Sequence, residues 1–216
     1  MNRPLRLATA ALTAAAALLL TSCGSDDDTS KDDDKIAGAD GGGEKSSSPS
    51  GPAASADRPK IELPADLTMT FDAANTSDPV KKAVLADNEQ RMRAVNAAIT
   101  GTDPKSEALG FYNTGKALEA SVTWVDKFKD AGLSLTGEIR YYNRQVTLKD
   151  KKTATLTFCA DEGKGYTKKK STKKVNKTPV TKNSYVAYNT QLVKNADGTW
   201  QTSQIFSTRG AVQCQP

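Results

Sequence analysis

On one side of Gly132 the apolar residues of this chain recur at helical spacing, and on the other they alternate. Val80, Val84, Met92, Val95 and Ile99 return at steps of three, four or eight, which places them near one face of a helix. Asp78 stands where an N-cap belongs, Pro79 takes the first helical position, where its missing N–H costs nothing, and Gly101 ends the segment. A short helix is expected over 104–112. A third is expected over about 114–131, with Leu118, Val122, Val125 and Phe128 on one stripe, Trp124 beside it and Gly132 as its stop. Beyond that glycine the period is two. Residues 137–148 carry Ile139, Tyr141 and Val146 among polar neighbours, Lys151 and Lys152 mark a tight turn, and Ala154, Leu156 and Phe158 then alternate with Thr155, Thr157 and Cys159. Residues 160–183 read as a long polar loop and 184–193 as a third strand, and the turn Asn195, Ala196, Asp197, Gly198 leads into a fourth strand over 200–208. Residues 60–74 read as an extended lead-in, since Pro64 opposes an early helix. Helices gathered first and strands gathered afterwards imply an α+β fold, with helices packed on one face of a curved antiparallel sheet.

The first 59 residues follow neither period. Arg3 and Arg6 precede an apolar run that ends at Leu20, shorter than the ~20 residues that cross a bilayer core, so residues 1–22 read as a signal peptide. Leu20, Thr21, Ser22 and Cys23 together resemble the lipobox of bacterial lipoproteins: an aliphatic residue, two small ones and a cysteine. The resemblance implies that the Cys23 thiol receives diacylglycerol, that the peptide is cut in front of it, and that the chain is held at the extracytoplasmic face of the cell membrane. One acyl chain binds only marginally at ~0.8 kcal/mol per buried CH₂, so two or three make a lasting anchor. The competing reading, a membrane helix with an incidental cysteine, fails on length. Residues 23–59 are Ser, Asp, Gly, Lys, Pro and Ala for the most part and read as a disordered linker spanning ~30 Å. Its aspartate triplets at 26–28 and 32–34 lack the alternating ligands and bend of a calcium loop, and suit a solvated acidic tail.

Residues 60–216 form the one folding unit, and they are basic: 24 Lys and Arg stand against 16 Asp and Glu, a net +8. Histidine is absent, which removes the commonest general base and metal ligand, and no metal or cofactor is expected. With Cys23 committed to lipid, Cys159 and Cys214 are left as a pair in an oxidising compartment, where a disulfide is expected. In a simple meander the second and fourth strands run the same way, placing Cys159 at a strand end on the same sheet edge as Cys214. Two strand spacings of ~4.8 Å exceed the ~7 Å reach of a disulfide, and residues 210–213 can make up the difference.

Three helices followed by long strands, with a hairpin written Asp197, Gly198, Thr199, Trp200, resemble the NTF2-like, cystatin-like superfamily over about 78–208. Lipid-attached members similar to this chain are familiar from actinobacterial cell surfaces. The resemblance implies a cone in which the sheet wraps a long helix around a cavity, here lined by Trp124, Phe128, Tyr141, Phe158, Tyr188 and Phe206; the same residues would also make an ordinary core. Enzymes of the superfamily use a buried Asp, often with His or Tyr. Here the helix carboxylates Asp87, Glu89, Glu107, Glu119, Asp126 and Asp130 mostly fall beside Lys or Arg at solvated positions, and none is singled out as an acid or base, so a non-catalytic protein is expected. The basic stretch 164–182 is longer than the family plan requires. Its Lys168, Lys169, Lys170, Lys173 and Lys174, with Lys164, Lys177 and Lys182, suit an anionic lipid surface or wall polymer at ~1 kcal/mol per residue near a bilayer. A soluble loop whose charges guard a sheet edge is the alternative. Nucleic acid is excluded by compartment and by the lack of interleaved aromatics. Three functions are compatible with these residues: a module binding a partner protein or small apolar ligand, an envelope-docking protein, and a lipid-anchored enzyme of NTF2-like fold.

Overall fold

The computed structural model describes residues 58–216; the expected signal peptide, Cys23 and the expected linker up to residue 57 lie outside the described residues. In chain order the elements are β1 (Leu67–Phe71), α1 (Pro79–Thr100), α2 (Glu107–Tyr112), α3 (Gly115–Asp130), β2 (Leu133–Leu148), β3 (Thr153–Lys169), β4 (Val175–Asn176), β5 (Tyr185–Lys194) and β6 (Trp200–Arg209). The strands form one open sheet in the order β1-β2-β3-β5-β6, with β4 beside the far half of β3. The helices pack on one of its faces, so the molecule is α+β as expected.

The long helix α1 owes its ends to three residues. The Asp78 carboxylate accepts from the Val80 and Lys81 amides at 2.8 and 3.2 Å, closing donors that have no partner inside the helix. Pro79 follows at the first position, and Gly101 takes a left-handed φ of 89° while its N–H returns to the Ala97 carbonyl. Val84, Met92, Val95 and Ile99 are buried along this helix, whereas Val80 at its first turn is exposed. The second helix starts at Glu107, later than expected, because the Asp103 carboxylate caps the Glu107 and Ala108 amides.

Two strands correct the sequence expectation. The lead-in contains β1, which pairs β2 in parallel from Leu67 opposite Gly137 to Phe71 opposite Tyr141, so the sheet is mixed rather than purely antiparallel. Leu67 and Met69 point into the core there, which secures the register. The second correction is β3, which runs on to Lys169 where a loop was expected. Its far half is paired to β2 from Lys164 opposite Glu138 to Lys169 opposite Leu133. A register shift between Glu138 and Arg140 breaks the alternation of side chains without ending the ladder, since ladder bonds are made by backbone alone.

Gly137 lies beside that bulge at a φ of 93°, and a Cβ on it would collide with the Lys164 carbonyl. Gly137→Ala is therefore expected to cost about 1–3 kcal/mol for the backbone conformation, and more for the clash. A urea midpoint unchanged from the parent would show that the bulge is not the constraint described.

Two apolar clusters fill the space between the layers. Leu67, Met69, Val84, Leu85, Tyr141, Leu156, Phe158, Leu192 and Trp200 belong to the larger one, and Val95, Ile99, Leu109 and Val125 join the three helices in the other. No helix among the described residues is long and apolar enough to cross a membrane.

Candidate functional site

Because strands alternate their side chains, one aromatic residue from each of four neighbouring strands meets on the helix-facing side: Phe71, Tyr141, Phe158 and Tyr188. Phe71 stacks on Tyr141 at 4.8 Å between centroids, Tyr141 meets Phe158 edge-on at 6.1 Å, and Phe158 stacks on Tyr188 at 4.8 Å. The guanidinium groups of Arg93 and Arg144 lie 5.1 and 5.3 Å from the Phe71 ring centre, so the row ends in cation–π contacts. Tyr141 and Phe158 are each 3% exposed. Tyr141, Phe158 and Tyr188, expected to line a cavity, are packed against one another and serve as core.

Of the six residues expected there, the structure brings together Tyr141, Phe158 and Tyr188. Trp124, Phe128 and Phe206 stand apart. Trp124 is 47% exposed and packs edge-on against Phe128, 5.2 Å away on the same helix; the buried stripe of α3 runs through Ala117, Ser121 and Val125, and Trp124 lies about 60° to one side of its centre. Val122 is turned outward for the same reason. Phe206 is 64% exposed: its neighbour Ser207 is the register partner of Tyr188, so Phe206 points to the opposite face.

Polar groups are buried next to this row. Arg91 on α1 donates from Nε to Asn113 Oδ1 at 2.6 Å and from an Nη to Ser121 Oγ at 3.2 Å. No carboxylate among the described residues pairs with it, and burial pushes its guanidinium down to about 10. Burial likewise pushes the Tyr141 and Tyr188 phenols up, with the negative charge of Glu162 adding to the effect at both. The deeply buried carboxylate in this region is Asp87, 2% exposed. It is ion-paired with Arg58 and accepts from the Trp200 amide at 2.8 Å, so both of its oxygens are occupied. The sequence reading set Asp87 among solvated carboxylates, and its burial overturns that placement. Its spacing from Val84 and Arg91, three and four residues, was the signal that it shares their inward face.

Two of the surface clefts among the described residues border charged side chains. One, of about 230 Å³, lies over Phe71, Leu85, Glu89 and Arg144. The other, of about 430 Å³, is bounded by Glu162, Tyr166, Asn176, Thr181 and Arg209, with Arg209 held to Glu162 at 2.8 Å. Among the described residues no group of three or more thiol or carboxylate side chains gathers in a metal-ligating arrangement.

The lysine-rich stretch is built rather than loose. Lys168 and Lys169 are on β3, and a tight turn follows, in which the Lys173 amide donates to the Lys169 carbonyl and the Lys169 amide to the Lys174 carbonyl, both at 2.9 Å. The Lys170 amide donates to the Gly132 carbonyl, tying the turn to the end of α3. Lys168 departs from its expected role: its ammonium is mostly covered and ion-paired with Asp66, whose carboxyl is held below the usual range by Lys168 and by the Thr136 hydroxyl. Lys164 pairs with Glu138 at 3.3 Å. Lys169, Lys170, Lys173, Lys174, Lys177 and Lys182 have no carboxylate in ion-pair reach among the described residues.

Cys159 and Cys214 are bonded, with Cα atoms 5.5 Å apart. The route differs from the one expected. Cys159 is in mid-strand, since β3 continues past it, and the tail crosses to reach it: Gly210 at a φ of 75° turns the chain, and a 3₁₀ turn at Val212–Cys214 lies on the sheet face away from the helices. There Ala211 and Cys214 pack with Cys159, Tyr142, Tyr185 and Ala187, and the Tyr142 hydroxyl donates to the Cys214 carbonyl.

No protein-family model matches the chain, and no curated protein matches it either. Among solved structures, it is similar to a ketosteroid isomerase-like protein from Erwinia carotovora atroseptica at 17% identity, over 62% of this chain and 98% of that one, with a TM-score of 0.40. An NTF2-like protein of unknown function in nutrient uptake from Rhodospirillum rubrum gives 12% identity over 58% and 97% of the two chains, with a TM-score of 0.39. The intermembrane space region of the chloroplast protein ARC6 gives 12% identity over 60% and 96%, with a TM-score of 0.40. At these values the neighbours lend this chain no activity, ligand or residue role.

Proposed function

We propose that this chain is a lipid-anchored, extracytoplasmic binding module without catalytic activity, which engages its partner through its outer surface. The observation that carries the reading is the packing between sheet and helices. Phe71, Tyr141, Phe158 and Tyr188 pack ring on ring on the helix-facing side of the sheet, and the buried carboxylate Asp87 already holds Arg58 and the Trp200 amide. A carboxylate whose two oxygens both hold protein partners is not presented to a substrate, and aromatic rings packed on one another take the place a small apolar ligand would occupy between sheet and helices.

Two measurements test this. An apolar dye such as anilinonaphthalene sulfonate is expected to give no stoichiometric binding to the native protein, and saturable binding at one site would return the cavity reading. Cys23→Ser is expected to release the protein from the membrane or to leave the leader uncleaved. A normally processed, membrane-bound Cys23→Ser protein would defeat the anchor.

The six unpaired ammonium groups favour a second reading, in which the lysine turn docks on an anionic lipid surface or wall polymer of the envelope. At ~1 kcal/mol per lysine near an anionic bilayer, replacing Lys169, Lys170, Lys173 and Lys174 with glutamine is expected to weaken binding to phosphatidylglycerol-containing vesicles by more than about tenfold at low salt. Equal binding by parent and variant would remove this reading and leave the partner-binding module standing.

A further inference from the structure

The sheet ends at β6 on one side, and the outer edge of that strand is open along a defined stretch. Below it the edge is closed: the Thr114 amide donates to the Thr202 carbonyl at 2.9 Å, and Asn113 bridges to Thr202. Above it the chain leaves the sheet at Gly210, whose φ is 75° and whose amide donates to the Tyr185 carbonyl. Between these points Ser203–Arg209 makes backbone ladder bonds only to β5 among the described residues. Phe206 and the three residues after it are all exposed, on both faces of the strand.

Open edges are usually guarded by charge, proline or brevity. The opposite edge of this sheet obeys the rule: β1 has five residues, flanked by Asp66 and Asp72, and the far half of β3 is fenced by lysines. Residues 201–208 read Gln, Thr, Ser, Gln, Ile, Phe, Ser, Thr, without a charge or a proline. The one charged group at the end, Arg209, is already held by Glu162 at 2.8 Å. In a domain of net charge +8, this is a stretch on which a second copy meets no opposing charge.

We propose that β6 pairs antiparallel with β6 of a second copy of this chain across a two-fold axis through Phe206. The open stretch 203–209 has Phe206 at its centre, so pairing it with itself in this register leaves no overhang. Ser203 then faces Arg209 of the other copy, Gln204 faces Thr208, Ile205 faces Ser207, and Phe206 faces Phe206. The exposed ring of each copy is covered by its equivalent, and the two sheets become one. In this register every paired residue lies within 203–209, so Thr202, whose carbonyl is already taken, is not called on. The pairing needs no lipid and no lysine, so it stands apart from the function proposed above.

The test uses the full chain in detergent under mild oxidation. Phe206→Cys is expected to give a disulfide-linked dimer, at least about tenfold more of it than Thr208→Cys alone, because only residue 206 is its own partner within disulfide reach. A mixture of Gln204→Cys and Thr208→Cys chains should cross-link where neither does alone. Phe206→Lys, at an exposed position, should keep the circular dichroism spectrum of the folded domain and halve the protein mass measured by sedimentation. Equal cross-linking at 206 and 208, or a parent protein that sediments as a monomer like Phe206→Lys, would overturn the pairing.

Discussion

Replacing both Cys159 and Cys214 with serine is expected to lower the stability of the folded domain by about 4 kcal/mol. The bridge spans 55 residues, and closing a loop of that size in the unfolded chain removes entropy equivalent to about 4 kcal/mol. A second loss should follow from the tail. Without the bond, the turn at Val212–Cys214 rests on the sheet by the small cluster around Ala211 and by the Tyr142 hydroxyl alone. Urea denaturation of the double variant, compared with the parent under oxidising and reducing conditions, checks both parts. The reduced parent should match the variant to within about 1 kcal/mol. A variant as stable as the oxidised parent would mean that the loop is restrained by something other than the bond.

Asp87 gives the second large effect. Asp87→Ala should cost about 2–4 kcal/mol, since it takes the buried carboxylate from a half-buried Arg58 and leaves the buried Trp200 amide without an acceptor. Asp87→Asn separates the two contributions. Its carbonyl oxygen can still accept from Trp200, while the Arg58 charge loses its counter-ion, so a loss nearer half that of alanine is expected. Equal losses for the two variants would place the whole effect on the ion pair. No loss in either would show that Asp87 is not the joint between α1 and the start of β6.

How far the sequence disclosed this molecule depends on whether the signal was local. Asp78, Pro79 and Gly101 mark the ends of α1 because caps are chemistry between neighbours. The turn before Trp200 and the Cys159 to Cys214 pairing were legible for similar reasons: one is a tetrapeptide, and the other is a count of thiols. Parallel pairing of β1 with β2 was not, since Leu67 meets Gly137 across seventy residues of chain that carry no trace of the contact. The far half of β3 was hidden by composition. Glu162, Gly163 and Lys164 look like loop, and the ladder there is held by backbone groups that side chains do not report. Trp124 and Phe206 were placed inward by the family resemblance, yet an offset of about 60° on α3 and a one-residue parity on β6 put both outside. Asp87 shows the converse error, a charge read as solvated because the amide and guanidinium awaiting it lie far away in sequence.

The tail that crosses the back of the sheet also sets an order of events. A chain delivered amino terminus first exposes the thiol of Cys159 well before its mate, which follows 55 residues later. Oxidation can latch this molecule only once the final hairpin has emerged, so the lock closes last, and a polypeptide halted ahead of residue 214 would carry an unpaired thiol in the middle of its sheet.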